Sequence, residues 1–307
     1  MGIMSKALIA IDKSGSYRVY ITITTDLVQQ AADIHDTTPL ASAGLGRVLT
    51  AAGLMGIMLK NDDEKLTVNF KGEGPARQIL ATAYGDGRVK GYIANPYVDL
   101  PLKPNGKLDV GGSLGVGELT VIKDLGLKDP YIGTIALVSG EIADDLTAYF
   151  YISEQQNSSV ALGVKVERDL SIGAAGGMVI QMLPDAEEDS VDALEEMIGR
   201  LEPLTTIISR VSENSAGMTE SGMVQKLLEE IFAGMPDEYM PQVLEERDIR
   251  WDCDCSRERM AKALATIGRS DMQEIIEEDG HAELQCHFCL KKYDFSREEL
   301  TEILQHM

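Results

Sequence analysis

The stretches WDCDCSRERM (Trp251–Met260) and AELQCHFCLKKYDF (Ala282–Phe295) hold Cys253, Cys255, Cys286 and Cys289, and the rest of the 307-residue chain holds no cysteine. Their reading decides how the C-terminal region folds. The spacing is Cys-x-Cys, thirty residues, then Cys-x-x-Cys. Four thiolates satisfy a tetrahedral zinc ion completely, with Zn–S near ~2.3 Å and no open position. The second pair has the ordinary knuckle spacing. In the first pair, residues i and i+2 of an extended segment face the same way, so both sulfurs can reach one ion. The expectation is one zinc ion held by Cys253, Cys255, Cys286 and Cys289.

Size strengthens this expectation. A unit of roughly 65 highly charged residues buries too little apolar surface to fold unaided, and such units usually carry a metal or a disulfide. Structural zinc contributes roughly 10–16 kcal/mol of apparent binding free energy in small peptides. That is comparable with the whole stability of an ordinary domain. A second chemistry is open to the same residues. Cα separations at i, i+2 and i, i+3 fall within or near the disulfide range of about 4.4–6.8 Å, so each pair can close on itself. An oxidised pair cannot hold zinc. Arg257, Arg259, Lys291 and Lys292 are close in sequence, and their charge would favour thiolate. Spacing alone leaves both a permanent structural zinc knob and a switch open. His281 and His287 stand near enough to be ligands. Four sulfurs already fill the site, however, and a knuckle turn points a middle residue such as His287 away. His35 and His306 read as isolated surface residues.

The formal net charge of −22 is unevenly spread. Residues 1–184 hold 20 acids and 16 bases, whereas residues 185–307 hold 30 acids and 12 bases. So acidic a C-terminal region repels a phosphate backbone, which argues against a nucleic-acid partner. At 44% hydrophobic and 5% aromatic, the composition is that of a soluble globular protein with an aliphatic core. The N-terminus MGIMSKALIA has no long apolar run with a cleavage site, which sets the expectation of a cytoplasmic protein. In that compartment paired cysteines point to metal or redox chemistry rather than structural disulfides. PLASAGLGRVLTAAGLMGIML (Pro39–Leu59) is long enough to span a membrane. Arg47 near its middle and its glycines make a buried core helix the better reading, with no membrane partner.

Outward from these landmarks, SYRVYITITT (Ser16–Thr25) alternates as a half-buried strand does. Thr38 to Lys60 reads as the apolar helix, with Thr38 as N-cap and Pro39 in its first turn. KLTVNFKG is a strand, and RQILATAYGDGRVKGYIANP a hairpin turning at Gly85-Asp86-Gly87. Two further strands precede a helix from about Glu141 to Ser153, and SSVALGVKVE and GGMVIQMLP form another strand pair. The fold class predicted for residues 1–184 is α+β, an antiparallel-sheet core with inserted helices. Residues 185–240 read as an acidic helical linker. Val191, Leu194, Met197, Ile198 and Leu201 form one stripe, and TESGMVQKLLEEIFAG a second amphipathic helix ending at Gly234 and Pro236. Such short helices are unstable alone and must dock, and what docks can undock. Residues 241–307 form the small zinc-binding unit. Two short helices there are separated by Gly268-Arg269-Ser270, and a last helix has Ser296 as N-cap and Glu299 at the capping-box position. The fourteen methionines suit core filling or an adaptable surface for varied apolar partners.

No phosphate loop, Gly-x-Ser-x-Gly or His-Glu-x-x-His motif is present, so the expectation is a protein that is not an enzyme. The chain resembles, over essentially its whole length, the redox-regulated holdase chaperone family, the thirty-three-kilodalton bacterial heat-shock chaperone. GELTVIKDLGLKDPYIGTIALVSGEIADDLTAYFYISEQ, WDCDCSRERM and EIIEEDGHAELQCHFCLKKYDF carry the resemblance, and the combined cysteine spacing is its most specific part. Trp251 stands where phenylalanine is expected, and the NSSV piece from Asn157 to Val160 is slightly off the usual pattern.

The resemblance implies a reduced, inactive monomer that holds one zinc ion through Cys253, Cys255, Cys286 and Cys289. It implies disulfides Cys253–Cys255 and Cys286–Cys289 on oxidation, loss of the metal, and unfolding of the C-terminal unit and linker. It further implies ATP-independent capture of unfolding client proteins, often as a homodimer. Two other classes compete. A zinc-ribbon interaction module is opposed, for nucleic acid, by the acidic C-terminal charge. A thiol–disulfide oxidoreductase needs fewer cysteines than this.

Overall fold

The computed structural model describes residues 4–215 and 217–307; Met1 to Ile3, at the start of the N-terminal stretch read above, lie outside them. Two units are distinguished, Met1–Asp252 and Cys253–Met307. In the first, ten strands of the described residues form one sheet. These are β1 (Met4–Asp12), β2 (Tyr17–Ile23), β3 (Lys65–Gly72), β4 (Gln78–Tyr84) and β5 (Arg88–Ile93). They continue with β6 (Gly117–Asp124), β7 (Tyr131–Ala136), β8 (Ser158–Val166), β9 (Ile172–Met182) and β10 (Pro241–Trp251). The order across the sheet is β7-β6-β3-β4-β5-β10-β1-β2-β9-β8. Pairing is antiparallel throughout except between β5 and β10, which meet in parallel only at Arg250↔Arg88 and Trp251↔Val89. Helices α1 (Thr25–His35), α2 (Pro39–Gly56), α3 (Val110–Leu114) and α4 (Ala143–Ser153) are inserted among the strands. The α+β class with antiparallel sheet is therefore correct.

Helix α2 is the buried centre of one core. The Thr38 side chain accepts from the Ala41 N–H, Pro39 opens the first turn, and Leu40 to Leu45 and Val48 to Gly56 are buried without a break. Its glycines allow close approach. A methyl group on Gly46 would lie 2.5 Å from Val28 Cγ1, and one on Gly53 2.8 Å from Ile249 Cγ2. Among the described residues, no helix is long and apolar enough to cross a membrane. His35 is not a surface residue. It is buried, with Nε2 3.2 Å from the Gly91 carbonyl and its ring edge-on to Trp251.

Strand β1 divides two cores. Ala7 and Ile9 belong to the one built on α1, α2 and α4, whereas Leu8 and Ala10 belong to the other. Covered on both faces, MSKALIAID carries no alternation and gives no strand signal in the sequence. The second core is closed by α5 (Glu188–Gly199), α6 (Leu204–Glu213) and α7 (Glu220–Ile231). Pro203 separates α5 from α6, so the acidic segment after Pro184 is not one helix. Leu194 and Met197 of α5 are buried, but Ile198 is 37% exposed and leaves the docked face. Ile207, Ile208 and Val211 of α6 and Val224, Leu227, Leu228 and Ile231 of α7 pack against Leu8, Tyr17, Val19 and Ile21. Tyr17 also stacks on Phe232, with ring centroids 6.1 Å apart. Met55, Met178, Met197 and Met235 are buried and fill core, whereas Met218 is 48% exposed.

PQVLEERDIRW gives no strand signal for a different reason. In β10 only Ile249 is buried, and pairing with β1 rather than a packed face holds the segment extended. Strand β10 belongs to the first compact unit, and the second begins at Cys253. It contains α8 (Arg257–Leu264), α9 (Arg269–Glu278), β11 (His281–Gln285), β12 (Lys292–Ser296) and α10 (Arg297–His306). Its buried apolar core is small: Leu264, Met272, Tyr293, Phe295 and Leu300. The expected capping box of Ser296 and Glu299 is formed.

Ile208 is fully buried in α6 and reaches the backbone of Gly176 on β9. Ile208→Ala is expected to destabilise the larger unit by about 2–5 kcal/mol through lost burial and the cavity left behind. A lowered urea midpoint with unchanged slope is the measurement that checks it.

Candidate metal centre

Two local structures present the four sulfurs. Cys286 and Cys289 lie in the turn between β11 and β12, whose register runs from His281↔Ser296 to Gln285↔Lys292. The Cys286 N–H donates to the Lys291 carbonyl at 3.0 Å, and the Leu290 N–H donates back to the Cys286 carbonyl at 2.9 Å. Leu290 takes a left-handed conformation, φ 56°, to close this knuckle. Cys253 and Cys255 lie in the irregular segment just before α8. Ser256 ends that segment as N-cap, accepting from the Arg259 N–H.

All four Sγ atoms lie within 4.8 Å of one another. Cys253 and Cys286 are 3.7 Å apart, and Cys255 and Cys289 3.3 Å. Four ligands at the corners of a tetrahedron with Zn–S of ~2.3 Å would be separated by about 3.8 Å. The donor set and its spacing thus fit a tetrahedral thiolate ion such as zinc. Among the described residues, the candidate group contains the four cysteines and neither histidine. His281 is exposed with Nδ1 3.2 Å from the Asp279 carbonyl, and His287 is exposed.

Electrostatics decide which of these sulfurs hold their protons when no cation is bound. Burial pushes the Cys253 thiol far up and also raises Cys289. At Cys255 burial acts in the same direction, but hydrogen bonds from the Tyr293 hydroxyl and the neighbouring thiols outweigh it and hold that thiol below its ordinary value. Tyr293 Oη is 3.1 Å from Cys255 Sγ. Sequence reasoning missed Tyr293, for which the only signal is its alternation with Phe295 in β12. The nearby cations have partners of their own. Arg257 pairs with Glu299 at 2.6 Å and lies over the Phe295 ring, Arg259 pairs with Asp254, and Lys292 pairs with Glu283 at 2.8 Å. Lys291 lies over the Tyr293 ring.

Filling the site must displace the protons that burial keeps on Cys253 and Cys289. Zinc affinity of the reduced protein is therefore expected to rise with pH, by about tenfold per unit for each proton displaced. Competition titrations at two pH values check this, and equal affinity at both would contradict it.

Comparison with known proteins agrees with the geometry. The family model described as Hsp33 protein matches residues 5–296. A 33 kDa chaperonin of Clostridium perfringens is 48% identical over 305 residues, covering 98% of this chain and 92% of that protein. One of Clostridium tetani is 46% identical over 303 residues, covering 98% of each chain. The crystal structure of a 33 kDa chaperonin of Thermotoga maritima superposes with a TM-score of 0.84 at 34% identity, covering 100% of this chain and 99% of that one. With a family match over nearly its whole length and close relatives to either side, this chain belongs to the Hsp33 family.

Proposed function

We propose that this protein is a redox-regulated, ATP-independent holdase that protects unfolding proteins from aggregation during oxidative stress. One observation carries the reading. The chain's four cysteines converge on one point in a unit whose buried apolar core is five residues. A unit so small depends on a metal or a disulfide for its fold. Bound zinc supplies the positive charge that lets four closely spaced thiolates coexist, with Cys253, Cys255, Cys286 and Cys289 as its ligands.

The same sulfurs are the trigger. Peroxide takes two electrons from a pair of zinc-bound thiolates: the S–S bond forms, the O–O bond breaks, and two protons drawn from solvent complete two molecules of water. Closure of Cys253 with Cys255 and of Cys286 with Cys289 removes the donors, so the metal is lost and residues 253–307 lose their fold. The functional divisions are a core of residues 1–184, a linker of 185–240 and a switch region of 241–307. Undocking of α5 to α7 then uncovers Leu8, Tyr17, Val19 and Ile21 together with the helices' own apolar faces. The net charge of −22 keeps the opened state from aggregating with itself. In this reading the protein is cytoplasmic and non-enzymatic, monomeric when reduced and dimeric when oxidised. A zinc-ribbon module and a thiol–disulfide oxidoreductase are the alternatives, and neither uses the docked linker.

Peroxide-treated protein is expected to suppress aggregation of a heat-denatured client, whereas the reduced, zinc-loaded form is not; light scattering with parallel zinc release reads both. Equal activity in the two states contradicts the switch, and insulin-reduction turnover supports the oxidoreductase. Cys286→Ser removes a buried sulfur donor. That variant is expected to retain less zinc than wild type and to suppress aggregation without oxidant, which metal analysis and the same scattering assay test.

A further inference from the structure

Strand β10 is held in the sheet by its backbone far more than by its side chains. It pairs with β1 from Met4↔Arg250 to Asp12↔Pro241, yet only Ile249 is buried. Val243 and Leu244 are 43% and 60% exposed. The register shifts between Ile9 and Ala10, which leaves Leu244 without a partner residue. Lys6 pairs with Glu246 at 3.0 Å and Asp248 at 2.7 Å, but these ion pairs are partly exposed and contribute little. Along most of its length the far edge of β10 is unpaired among the described residues, because β5 meets it only at Arg250 and Trp251. The firm attachment is at the C-terminal end. There the Arg250 N–H donates to the Gly87 carbonyl at 2.9 Å and the Asp252 N–H to that of Val89 at 3.0 Å. The next residue in the chain is Cys253.

Strand β1 is the opposite case, apolar and buried on both faces. If β10 withdrew, one edge of β1 would present unpaired N–H and C=O groups flanked by two apolar layers. An open edge of this kind is completed by another extended chain rather than by a helix or a small molecule. The strand already present defines the occupant: extended, antiparallel to β1, and, outside the Ile249–Trp251 end that packs on the α2 core, with little demand on side-chain identity.

We propose that the edge of β1 covered by β10 is a capture site for extended segments of unfolded protein, opened when β10 peels away from its Cys253 end. The inference rests on the switch reading above and assigns it a client surface. Backbone pairing makes such a site tolerant of sequence, as a holdase requires.

Hydrogen exchange on the full chain tests it in three states: reduced with zinc, peroxide-oxidised, and oxidised with a carboxymethylated, permanently unfolded protein. The β1 amides that point to β10 are expected to exchange at least about tenfold faster after oxidation, while those that point to β2 stay protected. Addition of the unfolded protein is expected to restore the lost protection. If β1 stays protected while aggregation suppression switches on, the capture site is wrong and the switch stands. Client that co-elutes without restoring protection also overturns the site. Protection regained by oxidised protein alone, with a doubled mass, gives the edge to a second copy's strand and overturns it as well. Oxidation that brings no aggregation suppression removes both readings together.

Discussion

Four sulfurs within 4.8 Å of one another cannot all carry charge unless a cation lies among them. Burial raises Cys253 and Cys289, and the charge that the cluster can hold without metal settles at Cys255, where Tyr293 donates a hydrogen bond. The remaining structure of residues 253–307 is arranged around this constraint. A two-stranded hairpin and three short helices enclose only Leu264, Met272, Tyr293, Phe295 and Leu300. With so little apolar burial, a metal held by the cysteine cluster would contribute much of the stability of this unit, as the proposed switch requires.

The larger unit has the reverse balance. Strand β1 is covered by two apolar cores, and its own stability is not in question while both are closed. One core is built on α2 and draws on the strands and helices that precede Pro184, with Ile249 and Trp251 of β10 added from beyond it. The other is closed by α5 to α7, helices of ten to twelve residues that are too short to persist undocked. The larger unit thus holds two unlike cores, one built on a long buried helix and one closed by short helices. Strand β10 joins these short helices to the cysteine unit by chain connectivity, since it ends two residues before Cys253.

The sequence by itself determined the features that rest on local chemistry. Cysteine spacing identified the candidate ligands because i, i+2 and i, i+3 geometry is set by the backbone alone. Alternation found β2, and turn residues at Gly85-Asp86-Gly87 found the β4–β5 hairpin. Capping chemistry placed Thr38 and Ser296, and the acidic, amphipathic pattern after Pro184 marked out helices that need a partner. Tertiary structure decided what depends on neighbours distant in sequence. MSKALIAID became a strand because two cores cover it, and PQVLEERDIRW because β1 offers it backbone partners, and neither circumstance leaves a periodic pattern. The commitment of Arg257 to Glu299, the contact of Tyr293 with Cys255 and the burial of His35 against Trp251 are likewise long-range. Periodicity records which side of a segment meets water; it holds no record of which other segment completes a hydrogen-bond ladder or neutralises a charge, and those choices belong to the fold.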